Sequence, residues 1–527
     1  MKIKSADAFF SYLGKHFPVM CASGAFPLMP PVAASADWLD RLDDLSRRGI
    51  AKHVVKLKGF RRDFETAAAK AAPAERGILL ALARSAACAI TELDRVRSWE
   101  KSPELFLLVA FTGLEQAVDL PSKSTAAREK RFLKRLKAIP GLLALAPDAI
   151  ETVSHADRAR SQTMIRDCAR YVTGLTETDL GRSGKAGRLL DDCLHALRDF
   201  DRFVASRPEP AETDGPSFVH MAEGLLDTDR TAEEIYAIAE AEFARRTEFL
   251  LALEAQVGTG WREALAGYGG PADASDDPMD AVVREIHRLR AFTLDTALPG
   301  VFHDSGLRVD PQPAHMASTL RPVHYDPALG AWPDEPSRCY VSPLMFAGRG
   351  FRDDPTRLAR MRREYVFMTA RQTYPGRHLL NSERRALNGS PLSQIINPLF
   401  MAGWFAFAED LLDELGYISS PLDRMVLHHR GLRRAGLAMI DAGLATGVLD
   451  QDRCMAILDD SGLSRDEALE QVLAIRMTPT SRVMPVLGLH ELDALRRKSG
   501  LELGPFCAAV FAQGQLPFPT LAERLSP

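Results

Sequence analysis

No run of about 18 uncharged apolar residues, the length that crosses a bilayer, occurs in this 527-residue chain. No membrane span is expected. Nor does one sign of charge dominate: 66 lysines and arginines stand against 70 aspartates and glutamates, for a formal net charge of −4. Binding along a nucleic-acid backbone needs a basic surplus on one face, so no nucleic-acid partner is expected. Cysteine is sparse and scattered, as Cys21, Cys88, Cys168, Cys193, Cys339, Cys454 and Cys507, with no CxxC pair. An odd, dispersed set fits reduced thiols buried as small hydrophobes better than a disulfide framework. The opening residues, Met1-Lys-Ile-Lys-Ser-Ala-Asp7, are charged and reach Lys15 and His16 without an apolar h-region. That is unlike a secretory signal. Together these absences point to a cytoplasmic protein.

Helical period fills most of the chain. In Gly77 to Val96, apolar Leu79, Leu82, Ala86, Ile90 and Leu93 recur at spacings of three and four, which places them on one buried face. Thr231-Ala-Glu-Glu234 reads as a capping box: the Thr231 hydroxyl accepts from the third helical amide while Glu234 reaches back. The helix it opens is expected to run to about Val257, stopped by Gly258 and Gly260. Ser464-Arg-Asp-Glu467 repeats the device, and Ser420-Pro421 sets an N-cap before a proline at the first helical position. Other helices are expected near 356–386, 393–415, 421–446, 451–459, 465–476 and 487–499.

Arg207 to Ser217 and Gly269 to Pro278 are rich in proline, glycine and acid and read as exposed loops. The first separates an N-terminal helical region, 1–206, from a C-terminal one, 218–527, unless both form one continuous body. Between about Gly300 and Pro355 the helical period fails and prolines recur at 311, 313, 322, 327, 333, 336 and 343. Arg338-Cys-Tyr-Val-Ser342 there suits an edge strand or a hairpin. A long irregular insert in a helical body often walls a cleft. The expected fold class is mainly α, with a small β or irregular insert near 300–355.

The most informative stretch is Arg371-Gln-Thr-Tyr-Pro-Gly-Arg-His378. Proline and glycine inside a helix cost roughly 3 and 1 kcal/mol against alanine. Pro375 also removes the amide that would bond the carbonyl of residue 371, so the helix bends and can aim side chains into a cleft. A plain kink or helix end is the competing reading. The stretch resembles the His-Glu-x-x-Pro-Gly-His-His motif of the bacterial family called domain of unknown function 885, whose members are similar to zinc metallopeptidases. Ser102-Pro-Glu-Leu-Phe, Arg135-Leu-Lys-Ala-Ile-Pro140 and Ala402-Gly-Trp404 to Glu409 follow in the family's order. So do Leu432-Arg-Arg-Ala-Gly to Asp441-Ala-Gly-Leu and Gly514-Gln-Leu-Pro517. The resemblance spans nearly the whole chain and implies a large multi-helical metallopeptidase-like scaffold with a central cleft.

The departures bear on chemistry. Arg371 stands where the family has its first His, Gln372 where it has Glu, and Arg377 where it has the first of the paired His; His378 is retained. The Glu-Gly-Trp motif reads Ala402-Gly403-Trp404, the His of Asp-Thr-Gly-Leu-His is Ala445, and Phe-His-Asp is Phe506-Cys507-Ala508. The Pro-Gly-Gln-Ala-Leu-x-Tyr-Lys segment reads Pro479 to Val486 without its Tyr and Lys. Catalytic zinc needs about three nitrogen, sulfur or carboxylate ligands and an open position. Arginine offers no lone pair, and Gln372 cannot take a proton from water as glutamate does. The resemblance therefore implies lost zinc hydrolysis, with no metal and no cofactor expected.

Two arginines in place of histidines should make the cleft positive, and arginine grips carboxylate or phosphate with a planar fork. The expected function is a metal-independent enzyme acting on a small anionic substrate, by a cyclisation, elimination, isomerisation or acyl-transfer step in biosynthesis. His378 is the first candidate acid or base, Tyr374 the second and Glu409 an orienting partner. Arg371, Gln372, Arg377 and Trp404 are the expected substrate contacts. Each also has a bland reading: Arg371 and Arg377, flanked by Arg360, Arg362, Arg363, Arg384 and Arg385, could form a solvated basic face. His378 could be a satisfied core histidine, and Trp404 a packing residue. Two other functions stay open. One is a non-catalytic pseudo-peptidase that binds a peptide or protein. The other is a hydrolase whose metal site has moved, for instance to His303, His315 and His324 with His378. Adjacent His428 and His429 point about 100° apart on a helix and do not make a zincin pair. Gly348-Arg349-Gly350 is too short for a phosphate loop.

Overall fold

Apolar residues at helical spacing condense here into long helices joined by short turns, and the computed structural model describes residues 4–210, 215–226, 228–271, 274–298, 302–319, 322–332, 334–346 and 355–525. The glycine-flanked Arg349 lies outside the described residues. Both expected capping boxes form, at Thr231 with Glu234 and at Ser464 with Glu467. The first opens the Ala232–Val257 helix, which Gly258 ends in the left-handed region at φ 83°, a conformation free of penalty only for glycine. Ser420 precedes the Pro421–Thr446 helix as expected, although its side chain makes no capping bond. Leu79, Leu82, Ala86 and Ile90 are buried on the Pro73–Ile90 helix, and the chain continues as a π-helical turn, Thr91–Val96.

Two 26-residue helices, Ala232–Val257 and Pro421–Thr446, pack along one another. Arg246 is buried in their seam, where its guanidinium meets Glu242 at 2.6 Å and Asp410 at 2.5 Å. Gly431 makes the room, because a Cβ there would lie 2.6 Å from the Arg246 Nε. The Pro398–Glu414 helix crosses the Val483–Ser499 helix at a glycine pair: a Cβ on Gly403 would lie 2.3 Å from the Gly488 carbonyl carbon. Backbone meets backbone at this point, so no side chain can swing aside. Gly403→Ala is expected to destabilise the fold by about 1–3 kcal/mol, the usual cost of overpacking. A urea midpoint equal to wild type would refute this.

The irregular stretch yields three strands, β1 (Leu307–Pro311), β2 (Val323–Asp326) and β3 (Ser337–Val341), in the order β1-β3-β2. β1 runs parallel to β3 and β2 antiparallel to it. The 338–342 segment is thus not an edge strand: it forms a hairpin with β2 and has β1 on its other side. Its burial at Ser337, Cys339, Tyr340 and Val341 fits a central position, with partners on both sides. One apolar core runs from Ala6 to Leu521 and takes in Val204 and Phe218, on either side of the 207–217 loop. All seven cysteines are buried free thiols. No described helix is long and apolar enough to cross a membrane.

Candidate functional site

The proline and glycine of the motif do more than bend a helix. The Pro355–Gln372 helix stops, Thr373 to Gly376 turn through a cis Tyr374–Pro375 bond, and a new helix, Arg377–Ala386, begins. The expected single kinked helix is two, since proline and glycine together leave the backbone no continuous ladder. Gly376 is required by close approach: a Cβ there would lie 2.2 Å from the Arg371 carbonyl oxygen. Trp404 fixes the turn from below. It is fully buried, its Nε1–H donates to the Pro375 carbonyl at 3.1 Å, and its ring packs on Phe407 and Phe511. Trp404 thus packs beneath the turn and presents no surface to solvent.

The same turn sends the two motif arginines to different places. Arg371 lines a cavity of about 780 Å³. Arg377 lines a crevice of only about 40 Å³ and donates to the Gly24 carbonyl at 3.2 Å. Phe405, Met401 and Pro27 line both spaces and part them. The guanidinium carbons of Arg371 and Arg377 sit 5.3 and 6.0 Å from the Phe405 ring centre. One ligand held jointly by both arginines, as expected from the sequence, does not fit this arrangement. A freely solvated face does not either, since Arg363 and Arg384 are buried and Arg360 pairs with Glu467.

His378 and Tyr374 line neither space. His378 is fully buried, with Nε2 3.0 Å from the Ser305 carbonyl and Nδ1 3.3 Å from the Tyr325 hydroxyl. Burial pushes its pKa down to about 4. The Tyr374 hydroxyl donates to Asp304, and burial, reinforced by that carboxylate, drives its pKa far up. Both nitrogens of the histidine have partners and the tyrosine holds its proton tightly. In this structure both sit among core partners away from the two spaces. Gln372 lines neither space, and its Oε1 is buried without a hydrogen-bond partner among the described residues.

The larger cavity gathers residues that lie far apart in the sequence. Three helices present one face each. The Pro355–Gln372 helix gives Arg371, the Pro398–Glu414 helix gives Ala402, Phe405 and Glu409, and the Pro421–Thr446 helix gives Arg430, Arg433 and Arg434. Spacings of three, four and seven put such residues on one stripe. A loop adds Pro479, Ser481 and Arg482. It is moored by Asp441, whose carboxylate accepts from the Thr480 and Arg482 amides at 2.8 Å each and from Val483 at 3.3 Å. Thr480 adopts φ 72° in this loop, a region threonine rarely enters. Sequence reasoning does not single out Arg430, Arg433, Arg434 and Arg482. The 430/433/434 spacing within an expected helix is the signal that could have found the first three.

Five arginines thus line one cavity. Glu409 and Glu364 are the carboxylates that engage them most closely. Glu409 receives Arg430 at 2.9 Å, Arg434 at 3.3 Å and Arg371 at 3.6 Å. Glu364 receives Arg430, and Arg433 at 2.7 Å. Burial alone would raise both acids, but the arginines outweigh it and hold each at about 2. Burial pulls Arg433 down to about 10 and also lowers Arg371. Asp410 lies 3.8 Å from Arg434 and the Asp441 carboxylate acts on Arg482; five guanidinium groups against these four carboxylates leave a small positive surplus. Glu92, on the π-helical turn, also lines the cavity. Burial raises its pKa, the Ser98 hydroxyl opposes this, and no arginine figures among the causes. Glu92 is electrostatically apart from the arginine wall.

His303, His315 and His324, the histidines of the relocated-metal alternative, do not converge. His303 faces Glu383 at 3.2 Å, His315 packs on Tyr171 near Glu115, and His324 stacks over Tyr340. His428 stacks on Phe249 while His429 meets the Ser461 carbonyl at 2.8 Å, the divergence expected of adjacent helical residues. Among the described residues, no three His, Cys, Asp or Glu side chains are grouped to hold a metal ion.

A family model described as a bacterial protein of unknown function (DUF885) matches residues 31–525. Among curated proteins none matches the sequence. Two solved structures share the fold over nearly the whole length. One, described as a putative lipoprotein of unknown function from Shewanella oneidensis, is 15% identical with a TM-score of 0.66, covering 99% of this chain and 98% of that one. The other, described as a putative lipoprotein from Colwellia psychrerythraea, is 14% identical with a TM-score of 0.69, covering 99% and 97%.

Proposed function

We propose that this chain, which belongs to the bacterial family of unknown function DUF885, binds a small molecule bearing carboxylate or phosphate groups in its arginine-lined cavity and acts on it without a metal ion. The observation that carries this reading is a surplus of partly buried positive charge: Arg371, Arg430, Arg433, Arg434 and Arg482 against Glu409, Glu364, Asp410 and Asp441. Charges taken out of water are costly unless paired, and an anionic ligand supplies the missing partners. The family resemblance supports the same place. Arg371, Ala402 and the Pro479 to Pro485 stretch stand at positions that the metallopeptidase-like motifs would fill, and all border this one cavity. On this reading the cavity is the central cleft of the scaffold with its metal site replaced by arginine.

Fixed guanidinium groups facing a cavity stabilise negative charge that develops on a bound substrate. Proton transfer then falls to a carboxyl group that no arginine holds ionised. Glu409 is held ionised by three arginines and is a poor base at neutral pH. Glu92, partly buried beside Ser98 and raised in pKa, is the carboxyl group this reading assigns to proton exchange. A lyase, isomerase or cyclase step on an anionic substrate suits this division of labour.

Titration with inorganic pyrophosphate and with citrate tests the reading. Each should raise the melting temperature, as binding at a hundredfold excess over Kd contributes about 2.7 kcal/mol. Sodium chloride at matched ionic strength should not. Arg433→Gln with Arg434→Gln should remove the shift. Equal shifts in the double variant would overturn the proposal.

A further inference from the structure

The arginines cover only part of the cavity. Apolar residues supply most of the rest: Leu28, Val96, Met221, Leu225, Phe405 and Met484 line it beside Glu92 and Ser98. Leu28, Val96, Met221 and Leu225, with Cys88, form an apolar cluster of their own, separate from the main core. Its outer boundary is the cavity itself. A polar metabolite of carboxylates alone would satisfy the arginines and leave this wall facing trapped water. The volume, about 780 Å³, is in the range that encloses a ligand of drug size, much larger than a phosphate or citrate ion. Met221, Met401 and Met484 all border it, and methionine side chains adapt to flexible apolar shapes.

From this division we infer that the ligand is an anionic amphiphile, a molecule with a phosphate or carboxylate head for the arginines and an alkyl or aryl body for the Leu28–Val96–Met221–Leu225 wall. The inference rests on the anion-binding reading above and adds the body of the ligand to its charge. Burial of each CH₂ group strengthens binding roughly fourfold, so chain length is the variable to change while the head is held constant.

Calorimetric titration of the full chain with methyl phosphate and octyl phosphate, the latter below its micelle concentration, separates the two claims. The octyl ester should bind at least tenfold more tightly than the methyl ester. Val96→Thr, a near-isosteric change, and Leu28→Asn should each cut that ratio severalfold while leaving methyl phosphate binding unaltered. Arg434→Gln should weaken both esters alike. If neither ester nor pyrophosphate binds, the anion-binding reading fails and takes this one with it. If methyl and octyl phosphate bind equally well, the anion site stands and the amphiphile is overturned. The amphiphile is overturned also if the ratio survives in both wall variants, because the chain would then lie elsewhere.

Discussion

Arg430→Met should cost about 3–5 kcal/mol of stability, the penalty for breaking a buried ion pair from one side. Arg430 bridges two buried carboxylates: one guanidinium nitrogen meets Glu364 and another meets Glu409 at 2.9 Å. Its removal leaves Glu364 with Arg433 and Glu409 with Arg434 and the more distant Arg371. Arg371 is the instructive contrast. It approaches Glu409 only to 3.6 Å, and burial together with Arg434 and Arg430 works against its charge. Arg371→Gln should therefore leave the ligand-free protein as stable as wild type or slightly more so, by up to about 1 kcal/mol. The same change should weaken pyrophosphate binding about tenfold. Chemical denaturation with and without pyrophosphate reads both numbers. A pair of variants that lose stability equally would mean that Arg371 is a structural partner and that the charge surplus does not exist.

The second large effect is acid lability. His53, His378 and His428 are depressed to about 4, and His315 and His429 to about 3, burial being the leading cause in each. In the unfolded chain each titrates near 6.5. Between that pH and the folded values the unfolded state binds more protons, so stability falls as pH falls. The full contribution is present above about pH 6.5. Each histidine adds a loss of up to about 1.4 kcal/mol per pH unit below it. Glu364 and Glu409, held at about 2, add a second loss only as pH drops through about 4.5. Asp43, Glu115, Asp441 and Asp493, which burial raises to about 7, 8, 6 and 6, act in the opposite sense between pH 7 and 5. The urea midpoint is therefore expected to fall steeply only below about pH 5, and His378→Asn should make the fall shallower. Profiles of the same shape for wild type and His378→Asn would show that His378 binds its proton alike in the folded and unfolded chain.

Much of the scaffold is legible in the sequence because its signals are local. Thr231 with Glu234 and Ser464 with Glu467 mark helix starts through bonds three residues long, and Pro421 with Gly447 brackets a 26-residue helix. The 338–342 strand is visible too, but its central place depends on Leu307–Pro311 and Val323–Asp326 pairing with it, which no local pattern reveals. The site divides the same way. Arg371 and Glu409 are both expected from the sequence and do meet. His378 and Tyr374 stand out for their chemistry, and only burial shows that chemistry to be taken up by Ser305, Tyr325 and Asp304. Arg430, Arg433 and Arg434 share a helical stripe visible in the sequence, but charged stripes usually face water. The Glu364 and Glu409 carboxylates that draw this stripe inward lie on other helices.

Phe405 stands between two spaces of very different size. Its ring is the bulkhead between a chamber of about 780 Å³ and a slot of about 40 Å³, with a guanidinium on the ring from each compartment. A guest that fits the chamber meets Arg371 alone of the motif pair. On the anion-binding proposal, a longer ligand would reach Arg377 only past Phe405, Met401 and Pro27, and the rotamer of that phenylalanine would then bear on ligand length as much as the arginines do.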